Sequence, residues 1–343
     1  MSKSISFTPP KEWLCIKTIE MHTGGEPLRI LTEGLPEIQG ETILEKRRYF
    51  RDYLDYIRTG TMFEPRGHAD MYGAVITEPV TPDGDFGTFF MHNEGYSTMC
   101  GHATLALTKL AIETNLIDYQ PGDYIKIDAP PGRLIARAEV KEGRVVRSSF
   151  INVPSFVLYI DETVDVPGIG TVSFDVAYGG AFYAFCDADA LGLTLDERSY
   201  HLLIDYGKRI KKAVIDHFEI KHPFEEDLSF LYGVIFAGEA RNKTHHSRNV
   251  CIFADGEADR SATGSGVSAR AALHYAKGEL GLDEQITIES ILGTTMDVKI
   301  ISTENYGRHK AVIPEVSGIA YFTGRSEFWF DPKDPLKKGF ILR

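Results

Sequence analysis

Cysteine is scarce in this chain. Cys15, Cys100, Cys186 and Cys251 are the only four in 343 residues, too few and too scattered for a disulfide scaffold or a CxxC metal site. Free thiols in a reducing compartment are the expectation. Positive charge is also in deficit: 37 basic against 49 acidic residues leave a net charge of −12, a poor match for a phosphate backbone, so no nucleic-acid partner is expected. No apolar run approaches the roughly 20 residues that cross a bilayer, and MSKSISFTPPKEW at the start has neither an apolar signal core nor an arginine-rich amphipathic pattern. A cytoplasmic protein with no membrane association is expected. No HExxH or other zinc spacing occurs, and the adjacent His245 and His246 would point in different directions from a strand. Gly264-Ser265-Gly266 lacks the third glycine and the following acid of a dinucleotide fingerprint. Neither a metal nor a nucleotide cofactor is expected.

What is present is ordinary globular composition, 43% apolar and 25% charged, in a length that favours two domains over one core. Short β-rich runs punctuated by Gly, Pro or Asp occupy 13–23, 27–34, 73–79 and 88–95. Between Gly40 and Gly60, Ile43, Leu44, Phe50, Leu54 and Ile57 form an apolar stripe on a charged helix, read as a solvated surface element.

The informative pattern is an internal repeat. In the first copy the strand TFFMHNEGYSTM runs into Cys100-Gly101-His102, the helix ATLALTKLAIETNL, the strand 124–128 and Gly132. The second copy is NVCIFADGEADRSA, then Thr263-Gly264-Ser265, the helix GVSARAALHYAKGEL, the strand 286–290 and Gly293. Cys100 and Thr263 are 163 residues apart, Gly132 and Gly293 161, so the register survives through the following strand. Both helices begin apolar on all sides and are therefore buried. Two similar α+β lobes, with the helix N-termini facing across a cleft, are the simplest architecture.

A helix N-terminus presents free amides and about half a positive charge, so it binds anions and depresses the pKa of a thiol placed there. On its own, a cysteine before a helix is an inert small hydrophobe and Thr263 an ordinary N-cap. The recurrence of small glycine-containing turns, one with a thiol and the other preceded by Asp259-Arg260-Ser261, is not explained by capping. Cys100 is therefore taken as functional, with Gly101, His102, Gly264 and Ser265 offering amides to a carboxylate. Cys15, Cys186 and Cys251 lie in apolar strand-like runs and are assigned to the core.

The motifs MHTGGEPLRI (21–30), EPRGHADMYGA (64–74), MCGHATLAL (99–107), YGGAFYA (178–184) and DRSATGSGVSA (259–269) together resemble the successive signatures of the proline racemase family. The resemblance implies an α+β fold shared with diaminopimelate epimerase: two pseudo-symmetric lobes, each a β-barrel-like sheet around a central helix, in a homodimer. On that plan residues 1–150, completed by roughly 318–343, form one lobe and 151–317 the other. It further implies cofactor-independent chemistry by two cysteines, one on each face of the substrate Cα. Here Cys100 matches the first position, whereas Thr263 stands where the second thiol belongs, and a threonine hydroxyl is far too weak an acid to replace it. The Cys/Thr pairing is similar to the branch that dehydrates trans-3-hydroxy-L-proline to Δ1-pyrroline-2-carboxylate. The same resemblance implies Asp259 as partner of the ring ammonium, His246 and more loosely Glu26 as pocket residues, and a catalytic role for Cys100 and Thr263. A proline racemase or hydroxyproline epimerase, and a catalytically silent amino-acid-binding protein, are the competing readings.

Overall fold

A computed structural model describes residues 6–342. The first half runs β1 (Leu14–Thr23), β2 (Glu26–Glu33), α1 (Ile43–Tyr53), α2 (Asp55–Met62), β3 (Tyr72–Thr77), β4 (Phe86–His92), β5 (Gly95–Ser97), α3 (Gly101–Glu113), β6 (Ile125–Ala129), β7 (Gly132–Lys141) and β8 (Arg144–Ile151). The second half follows the same plan: β9 (Ser155–Val166), β10 (Gly170–Tyr178), β11 (Phe182–Asp187), α4 (Tyr200–His217), β12 (Leu231–Gly238), β13 (Ser247–Phe253), β14 (Glu257–Ala258), α5 (Gly264–Ala276), β15 (Gln285–Glu289), β16 (Thr295–Tyr306) and β17 (His309–Gly318). A last strand, β18 (Ala320–Phe330), returns to pair antiparallel with β1.

Pairing makes the correspondence explicit. In one lobe the order is β18, β1, β2, β3, β4, β6, β7, β8, with β2–β3 and β4–β6 parallel. In the other it is β9, β10, β11, β12, β13, β15, β16, β17, with β11–β12 and β13–β15 parallel, and β17 closes the ring onto β9. Parallel pairs need a crossover; α1 and α2 supply it between β2 and β3, α4 between β11 and β12. The lobes join where β17 pairs with β8, Ser317 opposite Ser149. The expected pair of pseudo-symmetric lobes around central helices is what the chain forms.

Each central helix is buried because its sequence gives it no polar face. Every residue of α3 from Gly101 to Thr108 and of α5 from Gly264 to Leu273 is buried. In α3, Leu105, Leu107 and Leu110 each contribute about 1.5–3 kcal/mol by leaving water. The hydroxyls of Thr104 and Thr108 are satisfied by carbonyls one turn back, at 2.7 Å in each case.

The charged helix read between Gly40 and Gly60 is two helices, broken at Leu54 (φ −122°, ψ 9°). It starts on a capping box in which Thr42 and Glu45 satisfy each other's backbone amides. Its apolar stripe is not solvated: Ile43, Phe50, Leu54 and Ile57 are buried in a second core with Ile16, Leu31, Val75 and Phe89. Among the described residues no helix is long and apolar enough to cross a membrane.

Candidate active site

The two central helices meet end to end. A β-carbon placed on Gly101 would lie 2.5 Å from Gly264 Cα, and one placed on Gly264 2.7 Å from Gly101 Cα. Only glycine allows this approach of backbone to backbone. The residues just before the helices, Cys100 and Thr263, are thereby brought to one place from opposite lobes.

Their backbones differ. Cys100 is extended (φ −140°, ψ 108°), and its Sγ caps α3 by accepting from the Ala103 amide at 3.4 Å. Thr263 is left-handed (φ 65°, ψ 89°) and does not cap α5. For a β-branched residue that conformation costs about 1–3 kcal/mol. Local hydrogen bonds hold it: Thr263 Oγ1 donates to Asp259 Oδ2 at 2.9 Å, its amide to Ser261 Oγ at 3.1 Å, and Asn249 Nδ2 to the Ala262 carbonyl at 3.1 Å.

Between them lies a cavity of about 20 Å³, room for about one water molecule. Cys100, Gly101, His102, Asp259, Thr263, Gly264 and Ser265 all line it, so the structure assembles seven of the eight principal candidates. The eighth, His246, is not brought to this cavity. Its ring packs edge-on against His274 (4.7 Å between centroids), its Nδ1 lies 2.9 Å from Ser247 Oγ, and it lines a separate cleft with Arg270 and Cys186. A wider surface cleft of about 560 Å³, where β7 and β8 meet β16 and β17, is lined by bases and acids that pair with each other, Arg137 with Glu315 and Arg147 with Asp297. The thiol is in the small cavity, not there.

Glu26, the more loosely expected pocket residue, is fully buried in the wall. Other wall residues were not expected from the sequence. Cys251, assigned to the core, is buried but also lines the cavity with Phe253; the two share a face of β13, as alternate strand residues do. Met99, Tyr72, Tyr183 and Tyr232 complete the wall. Tyr72 and Tyr183 stand inside two of the motifs, which was signal enough to single them out; Tyr232 stands in none.

Charge is arranged to leave one cation wanting. Glu26 Oε2 accepts from the Arg260 amide at 2.8 Å and from Arg260 Nη1 at 3.3 Å, while Oε1 has no hydrogen-bond partner among the described residues. Burial pushes the Glu26 carboxyl well above its ordinary range and the charge of nearby Asp259 adds to this, against the pull of Arg260. Burial likewise raises Asp259, against the hydrogen bonds from Ser261 and Thr263. A cation between two such acids would relieve both.

Cys100 departs from the expectation of a depressed thiol. Burial raises it well above the ordinary thiol value and the negative charge of Asp259 adds to the rise, with the Ala103 amide pulling the other way. The helix terminus is present but desolvation outweighs it. His102 Nδ1 lies 3.2 Å from the sulfur, and burial holds this imidazole down at about 3, hence neutral. Two sets of helix-terminal amides, two buried acids and a thiol beside a neutral imidazole are together chemistry that a small zwitterion would satisfy.

Known proteins bear on which zwitterion. The family described as Proline racemase matches residues 18–341. The chain is 52% identical over 335 residues to a trans-3-hydroxy-L-proline dehydratase of Colwellia psychrerythraea, covering 97% of this chain and 94% of that one. With the human trans-3-hydroxy-L-proline dehydratase the identity is 46% over 337 residues, covering 96% and 95%. Among solved structures, a hydroxyproline epimerase from Agrobacterium vitis with bound trans-4-hydroxy-L-proline superposes with a TM-score of 0.90 at 25% identity, covering 96% of each chain.

Proposed function

The chain belongs to the proline racemase family, and from that membership we propose that it is a hydro-lyase converting trans-3-hydroxy-L-proline into Δ1-pyrroline-2-carboxylate and water. The observation that carries this reading is the asymmetry at the meeting helix ends, a thiol at Cys100 and a hydroxyl at Thr263. Racemisation requires a competent acid or base on each face of Cα. Thr263 is not one, and its hydroxyl hydrogen is engaged by Asp259. A carbanion formed on the Cys100 face is left with elimination as its exit, and the names carried by relatives at 46–52% identity agree.

In this reading the substrate carboxylate sits on the amides of Gly101, His102, Gly264 and Ser265, at the positive ends of α3 and α5. The ring ammonium lies between Asp259 and the unpartnered Glu26 Oε1. Its arrival supplies the cation that the buried acids lack and lowers the cost of ionising Cys100, so the thiolate forms with substrate rather than before it. The cavity must open to admit the ring and close again around it.

Stereochemistry then sets the step. In trans-3-hydroxy-L-proline the hydroxyl lies opposite the carboxylate, on the face of the Cα hydrogen, so the elimination is syn. Cys100 takes the Cα proton and the C–H electron pair becomes the C2–C3 double bond. The C3–O bond breaks, and the oxygen leaves as water with the proton the thiol has just received, matched acid and base work by one residue. The neutral His102 ring, 3.2 Å from the sulfur, keeps the thiol oriented. The enamine tautomerises to the pyrroline, and no cofactor is required. The resemblance that supports this chemistry also supports a homodimer.

The test is incubation with trans-3-hydroxy-L-proline and detection of the pyrroline with o-aminobenzaldehyde. Adduct formation is expected, and its loss in Cys100→Ser. Accumulation of a 2-epimer without pyrroline would instead support the epimerase reading that the Agrobacterium vitis neighbour favours, and binding without turnover the silent binder. Near wild-type dehydration by Cys100→Ser would refute the thiol mechanism.

A further inference from the structure

The proposed contacts account for the carboxylate and the ammonium, but not for the 3-hydroxyl that distinguishes this substrate from proline. Three tyrosines line the cavity. Two of their hydroxyls are engaged: Tyr72 with Ser97 Oγ, and Tyr183 with Ser265 Oγ at 2.7 Å. Tyr232, on β12, is 5% exposed, and its hydroxyl is buried with no hydrogen-bond acceptor among the described residues. The Tyr72 hydroxyl, bonded to Ser97, also approaches it as a hydrogen-bond donor, which leaves the Tyr232 O–H itself uncommitted. A buried O–H left without an acceptor costs stability, and Tyr232 carries one in the wall of the cavity.

Packing fixes where that hydroxyl stands. The Tyr232 ring stacks on Phe253 (5.3 Å, 25°) and meets His92 edge-on at 5.9 Å. His92 stacks on Tyr72 at 5.8 Å, and Tyr72 meets His102 at 4.9 Å, the imidazole beside the Cys100 sulfur. Tyr232 thus belongs to the second lobe but joins an aromatic chain of the first that ends at the thiol. That is the face on which a syn elimination needs help.

We propose that Tyr232 donates a hydrogen bond to the substrate 3-hydroxyl and holds that oxygen as the C3–O bond breaks, making Tyr232 the residue that selects 3-hydroxyproline over proline. The inference rests on the dehydratase reading above. Tyr232 keeps its own proton throughout; the proton that completes the water comes from Cys100. Burial raises the Tyr232 phenol well above its ordinary value, so it remains a donor across the working pH range. The bond strengthens as negative charge grows on the departing oxygen, so it favours the transition state over the bound substrate.

Tyr232→Phe removes the hydroxyl and keeps the ring. Dehydration of trans-3-hydroxy-L-proline should lose about 10²–10³ in kcat/KM, the loss typical of one transition-state donor. L-proline has no 3-hydroxyl, so its exchange of the Cα hydrogen for solvent deuterium and its elevation of the melting temperature should both match wild type. A dehydration rate within about threefold of wild type would overturn the inference. Equal losses in dehydration and in proline exchange or binding would also overturn it, showing that Tyr232 only packs the wall. Wild-type protein that exchanges proline but does not dehydrate 3-hydroxyproline would sink the underlying reading, and this inference with it.

Discussion

The contact between the helix ends can be broken with one methyl group. In Gly101→Ala the new β-carbon would lie 2.5 Å from Gly264 Cα, 2.8 Å from Gly264 C and 3.1 Å from Ser265 N. All three are backbone atoms and none can swing aside. Ordinary carbon contacts are about 3.5–4.0 Å, so the ends of α3 and α5 must part by about 1 Å. Overpacking of this kind costs about 1–3 kcal/mol. The functional cost is larger than the structural one, because the proposed carboxylate site draws on amides from both sides of the contact and a displacement of about 1 Å can cost about 10²-fold in rate. Dehydration kcat/KM is therefore expected to fall by about two orders of magnitude while the protein remains folded, with a lower urea midpoint. Gly324→Ala is the matched control: an added β-carbon there meets nothing within 4 Å, and stability and rate should stay at wild-type values. Wild-type activity and stability in Gly101→Ala would mean that the helix ends are apart in the working enzyme, and the derivation of the anion site from their contact would fail.

The lobes were legible because a repeat is a long-range signal. A buried helix with no polar face, preceded by a small-residue turn, recurred in register, and symmetry then supplied what local pattern could not, that the two turns meet. The break of the charged helix at Leu54 left no mark in the apolar stripe, which continues in phase across it through Ile57. At the site, motif-borne residues converged and His246 did not. His246 is on the strand side facing His274 and Arg270, remote from the face of β13 that carries Cys251 and Phe253 toward the cavity. Which face of a strand meets the cavity depends on tertiary placement, and local composition does not encode it. The thiol's ionisation was misjudged for a related reason. A helix terminus can be read from a sequence, but desolvation by the opposite lobe cannot, and desolvation is the larger effect on Cys100. Tyr232 shows the limit most plainly: the acceptor its hydroxyl lacks is visible only once its neighbours are placed.

Two further outcomes test the electrostatics and the asymmetry. Burial pushes the Glu289 carboxyl up, but the Asn242 amide, the Arg248 guanidinium, the Arg241 amide and His245 outweigh it and hold it at about 2 against an ordinary 4.5. A depressed carboxyl stabilises the fold fully above its unfolded value and loses that stabilisation as pH falls through its folded one, so on the order of 3 kcal/mol should vanish between about pH 5 and 2. Urea midpoints across that range should fall less steeply in Glu289→Gln, and parallel curves would refute the assignment. Thr263→Cys places an ionisable group opposite Cys100 and removes the hydroxyl that bonds Asp259 at 2.9 Å. A carbanion made by Cys100 would then have two fates, protonation from the new thiol and loss of the 3-hydroxyl, and the first draws on the same intermediate as the second. Epimer should appear by chiral chromatography as pyrroline formation slows, with solvent deuterium at Cα of the epimer. Pure dehydration with no epimer and no deuterium in recovered substrate would show that the missing thiol is not what directs this enzyme to elimination.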